Sequence, residues 1–91
     1  MSSCERVTIT NRLGMHARPA MLLAETAQGF KSDISIRRTD QKKSVDAKSI
    51  MQLMMLAATE GTELEIVATG PDEEASVQRL ANIVQTGFDE D

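Results

Sequence analysis

Val7-Thr8-Ile9-Thr10, followed by Gly14-Met15-His16-Ala17-Arg18-Pro19-Ala20-Met21, is the stretch on which the fold turns. Its first four residues alternate apolar and polar and are all β-branched, the pattern of a half-buried strand, which should end near Asn11. From Pro19 the spacing changes: Ala20, Leu23, Ala24 and Ala27 recur at i, i+3, i+4 and i+7, and Gly29 supplies a stop. A helix therefore begins at the only histidine of the chain, His16. Its imidazole is a nucleophile usable near neutral pH, Arg18 adds a permanent cation with forked donors, and Pro19 pre-sets the backbone of a first helical turn. Unbonded N–H groups at a helix start attract anions, so the segment suits a phosphoryl group. Spacing alone leaves open the plainer reading, a polar residue that merely starts a helix.

Outward from this point the pattern keeps alternating between periods of two and 3.6. Asp33-Ile34-Ser35-Ile36-Arg37 reads as a second strand and Ser44-Val45-Asp46 as a short third, joined by a glycine-free hairpin loop of more than two residues. Ser49-Ile50-Met51-Gln52 fits a capping box in which the Ser49 hydroxyl accepts an N–H and Gln52 reaches back. The helix it opens carries a stripe of Ile50, Leu53, Met54 and Ala57, widened by Leu56, and should stop at Gly61. Glu63 to Ala68 reads as a fourth strand. Gly70-Pro71-Asp72-Glu73-Glu74 opens a last helix, with Pro71 at its first position and Val77, Leu80, Ala81 and Val84 on its buried face. Gly87-Phe88-Asp89-Glu90-Asp91 reads as an acidic tail. Asp72, Glu73 and Glu74 are most simply solvated partners of the helix dipole.

The resulting order, β-α-β-β-α-β-α, contains no repeat and no linker, so residues 1–91 form one α+β domain with a sheet covered on one face. Fourteen acidic against ten basic residues give a net charge of −4, which disfavours nucleic acid, and two phenylalanines with no tryptophan or tyrosine offer no stacking platform for bases. No apolar run approaches the roughly 20 residues of a membrane span. The first six residues lack the apolar stretch of a secretory signal, so the expected location is the cytoplasm. Cys4 reads as a free thiol in a frayed terminus. There is no phosphate-cradling glycine loop and no cluster of metal ligands, so neither cofactor nor metal is expected.

The Gly14–Met21 segment resembles the active-centre signature of HPr, the histidine-containing phosphocarrier protein family of the bacterial phosphoenolpyruvate-dependent phosphotransferase system. Lys48-Ser49-Ile50-Met51-Gln52-Leu53-Met54-Met55-Leu56-Ala57 resembles the family's second signature at the expected distance, and the likeness runs from about Val7 to Val84. It implies an open-faced β-sandwich: a four-stranded antiparallel sheet in order 1-4-2-3 with three helices on one face. It further implies that His16 is phosphorylated at Nδ1 by phospho-enzyme I and passes the group to an enzyme IIA component. Arg18 would neutralise the phosphoryl oxygens, with the N–H groups of Ala17 and Arg18 facing them. Such a protein is a carrier and not a self-contained enzyme, working as a monomer. Ser49 becomes a regulatory site for HPr kinase/phosphorylase, and Met21, Ile50, Met51 and Met54 an exposed apolar patch on which enzyme I and enzyme IIA dock, for which flexible thioethers are well suited. Asn11-Arg12-Leu13-Gly14-Met15 and the C-terminal segment resemble the nitrogen-related paralogue NPr, whereas Lys48-Ser49-Ile50-Met51 resembles sugar-branch members. From a different class, the chain could be a regulatory interaction module acting through phospho-Ser49 with His16 idle; a small-ligand sensor is a third reading.

Overall fold

In the computed structural model, which describes residues 2–89, the elements are β1 (Ser3–Thr8), α1 (Ala17–Gln28), β2 (Asp33–Arg38), β3 (Ser44–Asp46), α2 (Ile50–Met55), β4 (Glu63–Thr69) and α3 (Glu73–Gln85). The strands make one antiparallel sheet in the order β1-β4-β2-β3. Because side chains alternate across a strand, Val7, Ile34, Ile36, Val45, Leu64, Ile66 and Ala68 all fall on one face and are buried. Ala20, Leu23, Ala24 and Ala27 of α1, Leu53 of α2, and Val77, Leu80, Ala81, Ile83 and Val84 of α3 close over that face in a single core. An α+β open-faced sandwich results. The opposite face is polar: Arg37 Nη2 donates to Glu65 Oε1 at 2.9 Å and Arg6 Nε to Glu65 Oε2 at 3.4 Å. The Arg37 bond holds the Glu65 carboxyl below its usual range.

β1 starts well ahead of Val7. Ser3-Cys4-Glu5-Arg6 has no apolar alternation, yet Cys4 pairs with Val67 and Glu5 with Ile66 in the ladder to β4. Cys4 thus lies on an ordered edge strand and not in a frayed end; desolvation, then the Glu65 carboxylate, raises its thiol pKa. At the other end the strand stops at Thr8, although Ile9 still donates to Thr62 O at 2.9 Å and accepts from Gly61 N at 2.8 Å.

The second helix is shorter than its apolar pattern suggests. It stops at Met55 because Ala57 takes a positive φ of 51°, and Arg38 Nη1 donates to the carbonyls of Leu56 and Ala57 at 3.2 Å each. Gly61 belongs to the turn before β4, not to the helix end. Leu53 and Leu56 are buried, Met54 is exposed as the resemblance implies, and Ala57, which shares the apolar stripe, is exposed too. The capping box is half made: Ser49 Oγ accepts from Gln52 N at 3.2 Å, but Gln52 Oε1 accepts from Asp46 N at 2.9 Å, leaving Ser49 N to Asp46 O at 3.1 Å.

Pro71 precedes the Asp72 cap of α3 rather than occupying the first helical position. Asp72 is no solvated dipole partner either, since it accepts from the backbone N–H of Lys31 and Ser32 at 2.9 Å each and from Ser32 Oγ. The Ser32 bond first, then the Lys31 amide, lowers its pKa from 3.8 to about 2. Glu73 is also engaged, accepting from Ser3 Oγ at 3.0 Å and Gly70 N at 3.2 Å. Gly87–Asp89 forms a single 3-10 turn with Phe88 buried, where a solvated tail was expected. Met1, Glu90 and Asp91, the last two part of that expected tail, lie outside the described residues.

Candidate functional site

The histidine is set by a short chain of backbone bonds. Gly14 N donates to Asn11 O at 3.2 Å and Asn11 Nδ2 donates to Gly14 O at 2.8 Å, closing the turn that follows β1. Gly14 has φ +66°, and a Cβ at this position would strike Ala58 O and the Thr59 Cα. Only glycine meets both conditions without strain. That close approach lets Met15 N donate to Ala58 O at 2.9 Å, with Met15 itself buried, and His16 N then donates back to Gly14 O at 3.0 Å. The loop ahead of His16 is therefore bonded to the segment just after α2.

His16 is the N-cap of α1, with extended backbone angles and no capping hydrogen bond from its side chain. Its carbonyl takes the first helical bond, from Ala20 N at 3.0 Å. The N–H groups of Ala17 and Arg18 stand before any intrahelical acceptor, as the first amides of a helix must, and Pro19, buried behind them, has no N–H to offer. Arg18 is exposed and His16 half-buried, and the first turn holds no acidic residue. A dianionic group at this helix start would meet amide dipoles with no carboxylate in the first turn of α1 opposing it. Among the described residues no group of three His, Cys, Asp or Glu side chains could hold a metal ion, and no helix is long and apolar enough to cross a membrane.

α1 and α2 run antiparallel. The His16 end of α1 meets the C-terminal end of α2 through the Met15–Ala58 bond, while at the other end Gln28 Nε2 donates to Lys48 O at 3.0 Å and Lys48 Nζ to Phe30 O at 2.9 Å. Ser49, which caps α2, thus lies at the end away from His16, and six residues at 1.5 Å each put about 9 Å of helix between. Met21, Met51 and Met54 are exposed, and Ile50 is half-buried against the core. Two exposed apolar residues that the sequence reading did not single out join them: Leu13, 73% exposed on the turn before His16, and Met55, 68% exposed. The i, i+4 spacing from Met51 would have found Met55. Leu13 carried no periodic signal, because it sits in a turn.

The geometry defines the class: a small α+β open-faced sandwich in which the single histidine caps the start of α1. The chain belongs to the HPr family of the phosphotransferase system, for the family model described as PTS HPr component phosphorylation site matches residues 4–86. It is 43% identical over 91 residues to phosphocarrier protein NPr of Escherichia coli strain K12, covering all of both chains. It is 44% identical over 85 residues to phosphocarrier protein HPr of Treponema pallidum strain Nichols, covering 93% of this chain and 94% of the relative. Among solved structures, an HPr from Thermoanaerobacter tengcongensis superposes with a TM-score of 0.90 at 36% identity, covering 98% of each chain. The protein is a phosphocarrier of the phosphotransferase system, not a catalyst in its own right.

Proposed function

We propose that His16 accepts a phosphoryl group at Nδ1 from phospho-enzyme I and donates it to an enzyme IIA component. The observation that carries this reading is the position of His16 as N-cap of α1, beside the amides of Ala17 and Arg18 and the exposed Arg18 guanidinium. In the transfer the Nδ1 lone pair forms the new N–P bond as the donor's P–N bond breaks and its electron pair returns to the donor imidazole. The amides and Arg18 hold the equatorial oxygens in both directions, so the group is stabilised without being trapped.

Met21, Ile50, Met51 and Met54 form the docking surface for both partners, and pressing such a surface against a partner excludes water during transfer. Ser49 has a second role under HPr kinase/phosphorylase. A phosphate there sits on the start of α2, away from the imidazole, and acts by placing negative charge at the edge of the docking face rather than by touching the chemistry. The carrier works as a monomer in the cytoplasm, and the end-to-end match with NPr supports service in the nitrogen-related branch. The test is labelling with phosphoenolpyruvate and enzyme I: acid-labile label on the parent protein and none on His16→Ala. Equal labelling of His16→Ala would overturn the reading.

A further inference from the structure

The chain has six methionines, and among the described residues they divide sharply. Met15 is 4% exposed, whereas Met51 is 76%, Met55 68%, Met21 47% and Met54 44% exposed. Apart from Leu13, every large apolar side chain exposed among the described residues is a methionine. Met51, Met54 and Met55 stand at i, i+3 and i+4 and share the outer face of α2, whose C-terminal end is bonded to the histidine loop through Met15 and Ala58. Met21 follows Arg18 and Ala17 by three and four residues on α1, the same side of the first turn. The exposed thioethers thus gather on the two helices that frame His16.

We propose that Met21, Met51, Met54 and Met55 are a reversible oxidation site for peroxides, and that their sulfoxide form disables the docking face while leaving the fold and His16 intact. The inference rests on the docking reading given above. Each step is a two-electron oxidation: the thioether sulfur lone pair attacks one peroxide oxygen, the O–O bond breaks, and sulfoxide and water leave, with no net proton released from the protein. A dithiol reductant returns the thioether, becoming a disulfide and yielding water. The product has a polar, chiral S=O where the docking face offered a flexible apolar arm, and a partner's apolar surface cannot satisfy it. Leucine would fill the same area without this chemistry, as Leu13 does beside it. The core has no comparable liability, since the one described buried methionine is Met15.

The experiment treats the intact protein, and a Cys4→Ser variant that removes the other exposed sulfur among the described residues, with hydrogen peroxide. Peptide mass mapping follows each methionine, circular dichroism follows the fold, and phosphoryl transfer from phospho-enzyme I is measured before and after. The four exposed methionines convert ahead of Met15, and the KM of enzyme I for the carrier rises at least about fivefold with kcat within about twofold. Methionine sulfoxide reductase restores KM. In a variant with all four replaced by leucine, the ratio of treated to untreated KM stays near one. Conversion of Met15 in step with the others, a loss of fold that accounts for the effect, or an unchanged KM after full conversion would each overturn the proposal. Failure of the untreated protein to accept the group would instead overturn the docking reading beneath it.

Discussion

Replacing Gly14 by alanine tests how the histidine is held. Its φ of +66° costs an L-residue about 1–2 kcal/mol. The added Cβ must also displace Ala58 O and the Thr59 Cα, both backbone atoms of the segment that receives the Met15 N–H. Overpacking of that kind costs about 1–3 kcal/mol, so the total is about 2–5 kcal/mol. A domain of this size has roughly 5–15 kcal/mol of stability in all, and at roughly 4–8 °C per kcal/mol the melting point should fall by roughly 8–40 °C. Gly61→Ala is the matched control: its φ is +89°, but nothing lies within 4 Å of the new Cβ, so only the conformational part of the cost applies. Urea unfolding of both variants by circular dichroism measures the difference. If Gly14→Ala costs no more than Gly61→Ala, the close approach of the histidine loop to Ala58 is not what fixes His16.

Ser49→Ala removes the oxygen that accepts from Gln52 N at 3.2 Å and should destabilise by about 0.5–1 kcal/mol, the lower part of the range for lost caps, because the site is open to water; a Ser49→Asp variant of parent stability would confirm capping as the cause, and an Ala variant as stable as the parent would refute it. Asp72 sets part of the acid response. Its folded pKa lies below its ordinary value, at about 2 against 3.8, so its contribution to stability is complete above about pH 4 and is lost as the pH falls towards 2. Asp72→Asn should therefore be less stable than the parent at pH 7 and converge on it by pH 2 in urea midpoints; a constant gap across that range would rule out the Ser32–Asp72 clamp as the source.

What the sequence disclosed and what it hid have physical causes. Alternation exposed β2 and β4 because both have one face on the core and one in water, and α1 was legible because its alanines and Leu23 keep one buried stripe from Ala20 to Ala27. The start of β1 left no such mark: Ser3 to Arg6 is ordered by pairing with β4, a partner some sixty residues away in sequence. The end of α2 was misjudged because its apolar residues run on through Leu56 and Ala58, while the stop comes from Arg38 on another strand and the positive φ of Ala57. Phe88 looked like part of a solvated tail, yet it is buried, and Gly87 before it, at φ +69°, lies close to Thr10 and Asn11 at the foot of the histidine loop. At the site, residue types and spacing pointed to His16 and Arg18 and to Ser49 as a cap, while Ala17 and a regulatory Ser49 were implied by the resemblance alone. The contribution of Gly14 as a contact point, and the exposure of Leu13, needed the fold.

The central claim is that His16 carries the phosphoryl group at Nδ1, and the imidazole nitrogens can be read directly by nuclear magnetic resonance. With phosphoenolpyruvate and enzyme I, the protein labelled with 15N in its single histidine should show phosphorus coupling at Nδ1 of His16, absent once an enzyme IIA acceptor is added. Coupling at Nε2, or a stable phosphoryl group on any other residue with the His16 signals unchanged, would contradict the account.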